Sequence, residues 1–456
     1  MVFFVICFGT ISIFTFSTYK EHKHVTFEET VLYGDPSVTE GLNATLKTNY
    51  LDQIYWDTNI KFNKSIETDT QYSFYRKSQI YEWPDPYEGL EMSVDMHYSC
   101  YGYISNLTQL DTTECAKLNG LTFYLKDITD YYDFKITCDL PTYYEVGDTA
   151  TAYNPTEGTG YLTYQRDEEK ADTWVLKNYF KIPVLENESC SYFFDIDSYA
   201  EVFSISDDHF SLELLNAVTD DICYFTFNPF STKGQAIDVS LLPDGFGIFA
   251  LPYEHKGEEK KDTLRTDKLS VAYPLDPTVK VYDLTTNAEK SFLLLSTIED
   301  NQMYLSVIEI ATMKTVQKQV IADLSESTAP LIHYGDGVIL LTNRSDDTLS
   351  VYTENENHMY DFEFACNYNA EDEFFSRFDF VPQFVYNGEY LAFAGIDEQW
   401  RENNNEYCNF LLAIYNKDGL QYIGKYENSL DSGIDNSWHD YSLKANHHDS
   451  LDIFWD

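Results

Sequence analysis

Carboxylates are the reactive groups this chain offers in greatest number: 76 Asp and Glu, against 30 Lys and Arg and 10 His. Two of them about 5–10 Å apart could hydrolyse a glycosidic bond, one as proton donor and the other as base or nucleophile. That pairing is a distance in space, so no spacing along the chain singles out a pair. Oxygen ligands for calcium could come from Asp195-x-Asp197 or from Asn369 to Glu373 (NAEDE). Neither run has the alternating ligands, central Gly and terminal Glu of a regular calcium loop, so no metal is assigned. Histidines cluster at Asn446-His447-His448-Asp449. Adjacent side chains on a strand point to opposite faces, and the segment lies between Leu443 and Leu451, where a hairpin tip is expected. It reads as a tip and not as a ligand set. The G-x-S-x-G elbow, the H-E-x-x-H helix and the G-x-x-x-x-G-K-[ST] loop are all missing. Nucleophilic hydrolase, zinc protease and nucleotide hydrolase therefore have no support. No catalytic, cofactor-binding or metal-ligating residue is assigned, no cofactor is expected, and the reading leans away from an enzyme.

Eight Cys stand at 7, 100, 115, 138, 190, 223, 366 and 408, none of them in C-x-x-C spacing. Zinc ribbons and thioredoxin-like motifs are thereby excluded. Cys100, Cys115 and Cys138 are near enough for one disulfide in an oxidising compartment, with isolated buried thiols as the alternative. Five N-x-[ST] triplets (Asn43, Asn63, Asn106, Asn187, Asn343) arise by chance in a chain rich in Asn and Thr. The formal net charge of −46 repels polyanions, because neutralising phosphates needs clustered cations. Nucleic acid is excluded as a partner, and docking of a domain face on anionic lipid is disfavoured. A protein or a cationic cell-wall component remains compatible.

The elements that would position these groups begin with a hydrophobic run. Val2 to Ser17, VFFVICFGTISIFTFS, carries no charge and is short of the ~20 residues of a full span. It reads as a single-pass membrane anchor or an uncleaved signal over residues 1–19, with the rest of the chain outside the cytoplasm. Two features oppose this. No basic residue precedes the run, and Lys20 and Lys23 follow it, which the positive-inside rule would place in the cytoplasm. A basic stretch upstream of Met1 would remove the conflict. Residues 20–41 are expected to be a juxtamembrane linker, and residues 42–456 the extracytoplasmic domain.

Aromatic residues make up 16% of the chain, with 38 Tyr and 31 Phe, and such residues suit strand surfaces. Stacking of Tyr on sugars is the functional alternative to strand packing. In the C-terminal half an apolar run recurs behind a turn signal. The starts are Gly247-Ile248, Phe292-Leu293, Gly337-Val338, Glu389-Tyr390 and Asp440-Tyr441, at offsets of 45, 45, 52 and 51 residues. Weaker members begin at Tyr161 and Ala200. Further strands follow the starts, as in Met303 to Ile310 before Val316 to Ile321. Phe410 to Tyr415 leads through Asp418-Gly419, a hairpin signal, into LQYIGKY. In the first third, GLNATLKTNY and QIYWDTNIKF alternate like a hairpin.

A repeat of ~40–50 residues with about four strands each resembles the β-propeller superfamily. The resemblance implies an all-β fold of six to eight blades. Gly-His and the kelch double glycine are missing, and Trp-Asp, the other marker of WD40 repeats, stands only at Trp56-Asp57 and Trp455-Asp456 and does not recur with the repeat. The alternative fold is a pair of β-sandwich domains. The runs at Ile248, Leu293, Ile339, Leu391 and Leu443 are expected to be the innermost strands. Leu451 to Trp455 is expected to close the ring against a strand from the first 160 residues. Ser429-x-Asp431-x-Gly433 resembles the first half of the aspartate box of sialidase-like propellers, a structural turn, but Asp435 and Asn436 replace its Thr and Trp. Two inserts, Glu254 to Lys268 and Ile396 to Tyr407, lengthen their repeats. The first carries Lys256, Lys260, Lys261, Arg265 and Lys268, a solvated loop or a partner contact. Tyr33-Gly-Asp-Pro-Ser-x-x-Glu-Gly41 is similar to a segment of membrane-anchored bacterial extracytoplasmic proteins and implies compartment alone. The expected function is that of a non-catalytic binding or sensory module. The alternative is a propeller-type hydrolase or lyase acting on carbohydrate.

Overall fold

A computed structural model describes residues 9, 12–13, 25–50, 54–63, 65–74, 90–94, 120–127, 129–132, 134–138, 172–175, 181–195, 200–205, 214–254, 263–325, 328–343, 346–367, 383–396, 410–428 and 450–455. The described chain is all-β, with short 3₁₀ turns between strands. Its strands begin β1 (Phe27–Gly34), β2 (Leu42–Tyr50), β3 (Ile54–Phe62), β4 (Ile66–Phe74), β5 (Leu90–Val94), β6 (Leu121–Tyr124) and β7 (Phe134–Cys138). Next come β8 (Asp172–Val175), β9 (Ser189–Asp195), β10 (Ala200–Ile205), β11 (Leu214–Val218), β12 (Ile222–Phe227), β13 (Gly247–Glu254), β14 (Thr263–Leu264) and β15 (Ser270–Pro274). Then follow β16 (Lys280–Thr286), β17 (Phe292–Glu299), β18 (Gln302–Glu309), β19 (Lys314–Asp323), β20 (Leu331–Gly335), β21 (Val338–Asn343) and β22 (Thr348–Glu354). The last are β23 (Tyr360–Asn367), β24 (Gln383–Tyr386), β25 (Leu391–Ile396), β26 (Phe410–Asn416), β27 (Gly419–Asn428) and β28 (Ser450–Trp455).

These strands form small antiparallel sheets divided between two compact units. One unit, built from residues 1–80, 144–164 and 327–456, holds the sheets β28-β2-β3-β4, β20-β21-β22-β23 and β1-β27-β26-β25-β24. The other, residues 81–143 and 165–326, holds β5-β7-β8, β10-β9-β6, β11-β12-β13-β15 with β14 beside β13, and β16-β17-β18-β19.

In the first unit, β26 shows why the apolar runs do not alternate. Phe410, Leu412 and Ile414 face a core shared with Leu42, Leu46, Trp56, Ile60 and Ile453. Leu411, Ala413 and Tyr415 face a second core shared with Leu340, Leu349 and Val351. Both faces of this sheet are thus covered, and a strand covered on both faces is apolar at every position. The edge strands β20, β24 and β28 of the three sheets lie next to one another. In the second unit, β11 and β16 are likewise neighbours, and a single core runs from Leu125 and Tyr132 through Phe225 and Phe249 to Leu293 and Ile308.

Four of the five repeated runs fall in four separate sheets, as β13, β17, β21 and β25; Leu443 lies outside the described residues. They are not edge strands. β17, β21 and β25 are each second in their sheets and β13 is third. The strand at the edge is the one before the run in β16, β20 and β24. β20 keeps no buried residue, whereas β21 is buried throughout. An edge strand has solvent or a neighbouring edge beside it and tolerates polar positions, so the most apolar strand is the next one in. Val316 to Val320 lies in β19, the opposite edge of its sheet, with only Ile321 buried along that strand.

The expected pairing of the C-terminus is present: β28 pairs antiparallel with β2, from Leu42 opposite Trp455 to Lys47 opposite Ser450. A second pairing was not expected. β1 adds to the outer edge of β27, from Phe27 opposite Asn428 to Gly34 opposite Tyr422. Residues 25–41, read as part of a linker, therefore hold a strand and the 3₁₀ turn Pro36–Thr39. Their alternation was hidden because only Val25 and Phe27 of the strand and its approach are buried. The anchor segment lies outside the described residues except for Gly9, Ser12 and Ile13. Among the described residues no helix is long and apolar enough to cross a membrane.

Candidate functional site

The ionisable side chains that the fold brings together are tyrosines and glutamates. On β27, Tyr422, Gly424 and Tyr426 share one face by alternation. The Tyr422 hydroxyl reaches over Gly424 to the Tyr426 hydroxyl at 2.7 Å. Glu29 stands directly opposite Tyr426 across the β1–β27 pairing. Its Oε1 accepts from Tyr422 at 2.6 Å and from Tyr426 at 3.3 Å. Both phenols are fully buried, and Tyr426 stacks on Phe410 at 4.7 Å. Burial, then the Glu29 contact, pushes the Tyr422 phenol well above its ordinary range; burial and the Tyr422 contact do the same at Tyr426.

A second pairing lies in the other unit, where the buried Tyr132 hydroxyl donates to the buried Glu188 carboxylate. The same hydroxyl accepts from the Leu185 N–H at 3.2 Å. A third sits at the β22–β23 turn. Glu354 accepts from Tyr360 at 3.3 Å and meets His358 Nδ1 at 2.8 Å. Burial and the Glu354 charge raise the Tyr360 phenol. Asn355 turns the chain there, accepting from the N–H groups of Asn357 and Met359. In all three clusters a phenol donates to a carboxylate, and the raised phenols hold their protons. Such groups are donors and braces; they are not poised as nucleophiles or bases.

The residues singled out in the sequence are placed as follows. Asp195 ends β9, and Asp197, Asn369 to Glu373, Ser429 to Trp438 and Asn446 to Asp449 lie outside the described residues. Of the basic insert, residues 263–268 are described, and there Arg265 forms a bidentate pair with Asp267 at 2.8 and 2.9 Å. The Ile396 to Tyr407 insert lies outside the described residues beyond Ile396. Cys190 and Cys223 are buried in the core of the second unit, and Cys366 lies on β23 with its thiol pushed up to about 12 by burial. Cys7, Cys100, Cys115 and Cys408 lie outside the described residues; Cys138 ends β7, but every pairing among Cys100, Cys115 and Cys138 includes a cysteine outside them. Among the described residues no group of three or more His, Cys, Asp or Glu could hold a metal ion.

Sequence reasoning missed the clusters. Tyr422-x-Gly-x-Tyr426 was a legible signal for two rings on one strand face, but Glu29 is remote in sequence. A second missed pattern is Asp-x-Ser/Thr. Asp35, Asp238, Asp276 and Asp323 each accept from the N–H two residues on, at Ser37, Ser240, Thr278 and Ser325. Those hydrogen bonds hold the four carboxyls below their usual range. They mark turns.

No family model matches the chain, and no curated protein matches it. Solved structures similar to it include a candidate 6-phosphogluconolactonase of Bacteroides fragilis, at 12% identity and a TM-score of 0.31 over 85% of this chain and 95% of that one. The WD40 domain of Toxoplasma gondii coronin is similar at 9% identity and a TM-score of 0.26, over 89% of this chain and 87% of that one. The periplasmic gluconolactonase of Pseudomonas aeruginosa is similar at 10% identity and a TM-score of 0.22, over 72% and 96%. Likeness at this level carries no activity to the present chain.

Proposed function

We propose that the sheets are blades of a β-propeller of six to eight blades, and that the protein is a non-catalytic binding or sensory module. It is held at the cell membrane by its N-terminal apolar run, with the domain outside the cytoplasm. The observation that carries the binding reading is how the gathered ionisable groups are used. In each tyrosine–carboxylate cluster the carboxylate accepts phenol hydrogen bonds, and the groups brace strands. Edge strand beside edge strand within each unit, and the C-terminal strand on β2, support the propeller. The net charge of −46 favours a cationic partner, protein or cell wall, over any polyanion.

Two measurements test this. Protease shaving of intact cells removes the domain; a domain that survives shaving and is digested only after lysis overturns the exported placement. Cell-wall polysaccharides and basic cell-surface proteins, offered to the purified chain, bind saturably without release of reducing ends or unsaturated sugars. Release of either product would establish the hydrolase or lyase instead.

A further inference from the structure

We propose that Val25–Gly34 is a detachable strap, clipped across the outer strands of two sheets of its unit, which opens while the inner β28–β2 seam stays closed. The strap touches both sheets. Val25 accepts from the Thr68 hydroxyl at 2.7 Å and donates to the Thr70 hydroxyl at 3.3 Å, both on β4. From Phe27 onward it pairs with β27. Its grip is concentrated at one end. Val25 and Phe27 are buried at 2% and 8% exposure, Glu29 holds the two phenols, and Val31, Leu32 and Tyr33 are 45%, 50% and 54% exposed. A register shift between Val31 and Tyr33 interrupts the pairing in the second half.

The inner seam is built differently. Leu42, Ala44 and Leu46 of β2 meet Leu451 and Ile453 of β28 in one buried core. A strand with few buried side chains and exposed backbone hydrogen bonds opens locally at a small fraction of the global unfolding free energy. A strand whose side chains line the core opens only with the core. The two closures should therefore separate on the free-energy scale.

Thr18 to His24 separate the strap from the end of the apolar run. If that run anchors the chain, as proposed above, tension on the anchor loads the β1–β27 pairs in turn from Phe27, the order in which a strand unzips. This last clause rests on the anchor reading; the strap itself does not, and its test does not use the membrane.

Hydrogen exchange of the full chain in detergent, read by mass spectrometry, decides it. Amides of residues 27–34 should exchange roughly 100-fold faster than those of 42–46 and 450–455. Tyr422→Phe with Tyr426→Phe keeps the rings and removes the hydroxyls that hold Glu29. It should speed exchange of 27–34 by about tenfold more and leave 450–455 unchanged. Should that variant not fold, Glu29→Ala on the exposed strand makes the same comparison. Equal protection of β1 and β28 in the wild type, or acceleration of both together in the variant, overturns the proposal.

Discussion

The ring of Tyr422 lies back over Gly424, where an added Cβ would stand 1.9 Å from its hydroxyl oxygen and 2.6 Å from Cζ. Gly424→Ala must therefore expel the ring and break the contacts with Tyr426 and Glu29. A loss of about 1–3 kcal/mol is expected, measured by urea unfolding. At the end of β1, Gly34 has φ +77 and a Cβ there would sit 1.8 Å from the Gln421 carbonyl oxygen, so only glycine fits. The phenols give a pH signature. Tyr360, Tyr422 and Tyr426 are raised in the folded chain, whereas unfolded phenols titrate at about 10. Their stabilising contribution is complete below that value and is lost as pH rises above it, because the unfolded state ionises first. Absorbance of tyrosinate at alkaline pH should show a group of phenols that ionises only as the chain unfolds. Replacing Tyr422 and Tyr426 by Phe should remove part of that step.

Among the elements, the two edges and the middle of a sheet carry different loads. Leu412 is fully buried at the centre of its sheet, and Leu412→Ala should cost about 2–5 kcal/mol. Val320, 43% exposed on the edge strand β19, should tolerate Val320→Ala within about 0.5 kcal/mol. Chemical unfolding of the two variants checks the contrast. Deleting Ser450 to Asp456 removes β28 and strips Leu42, Ala44 and Leu46 of their partners. A broad, weakened melt by calorimetry is expected, and an unchanged sharp melt would show the strand to be dispensable. At this scale much was legible. Met303 to Ile310 is β18 to within a residue, Phe410 to Tyr415 is β26, and the two alternating segments of the first third are β2 and β3. The rank of each strand was not legible, since apolar content reports coverage of both faces and not distance from an edge.

For the whole molecule, the charge of −46 is a standing repulsion that opposes compactness. Raising monovalent salt from about 10 mM to about 0.5 M shortens the Debye length from roughly 30 Å to under 5 Å. The melting temperature should therefore rise with salt; a flat or falling dependence would mean that exposed ion pairs, such as Lys126–Glu186 at 2.5 Å, outweigh the repulsion.

The sequence by itself determined the all-β class, the positions of β2, β3, β10 and of the C-terminal strands β13, β17–β19, β21 and β25–β28, and the reach of the last strand back to the first third. Each of these follows from local patterning: apolar continuity marks a strand covered on both faces, and Asp-Gly marks a turn. Only the tertiary structure decided that β1 leaves the expected linker to clasp β27, and that Glu29 meets two phenols near the other end of the chain. Hydrogen bonds between remote residues depend on register and sheet order, which no local spacing encodes. A glutamate in so acidic a chain looks like any other until a strand pairing sets it opposite its partners.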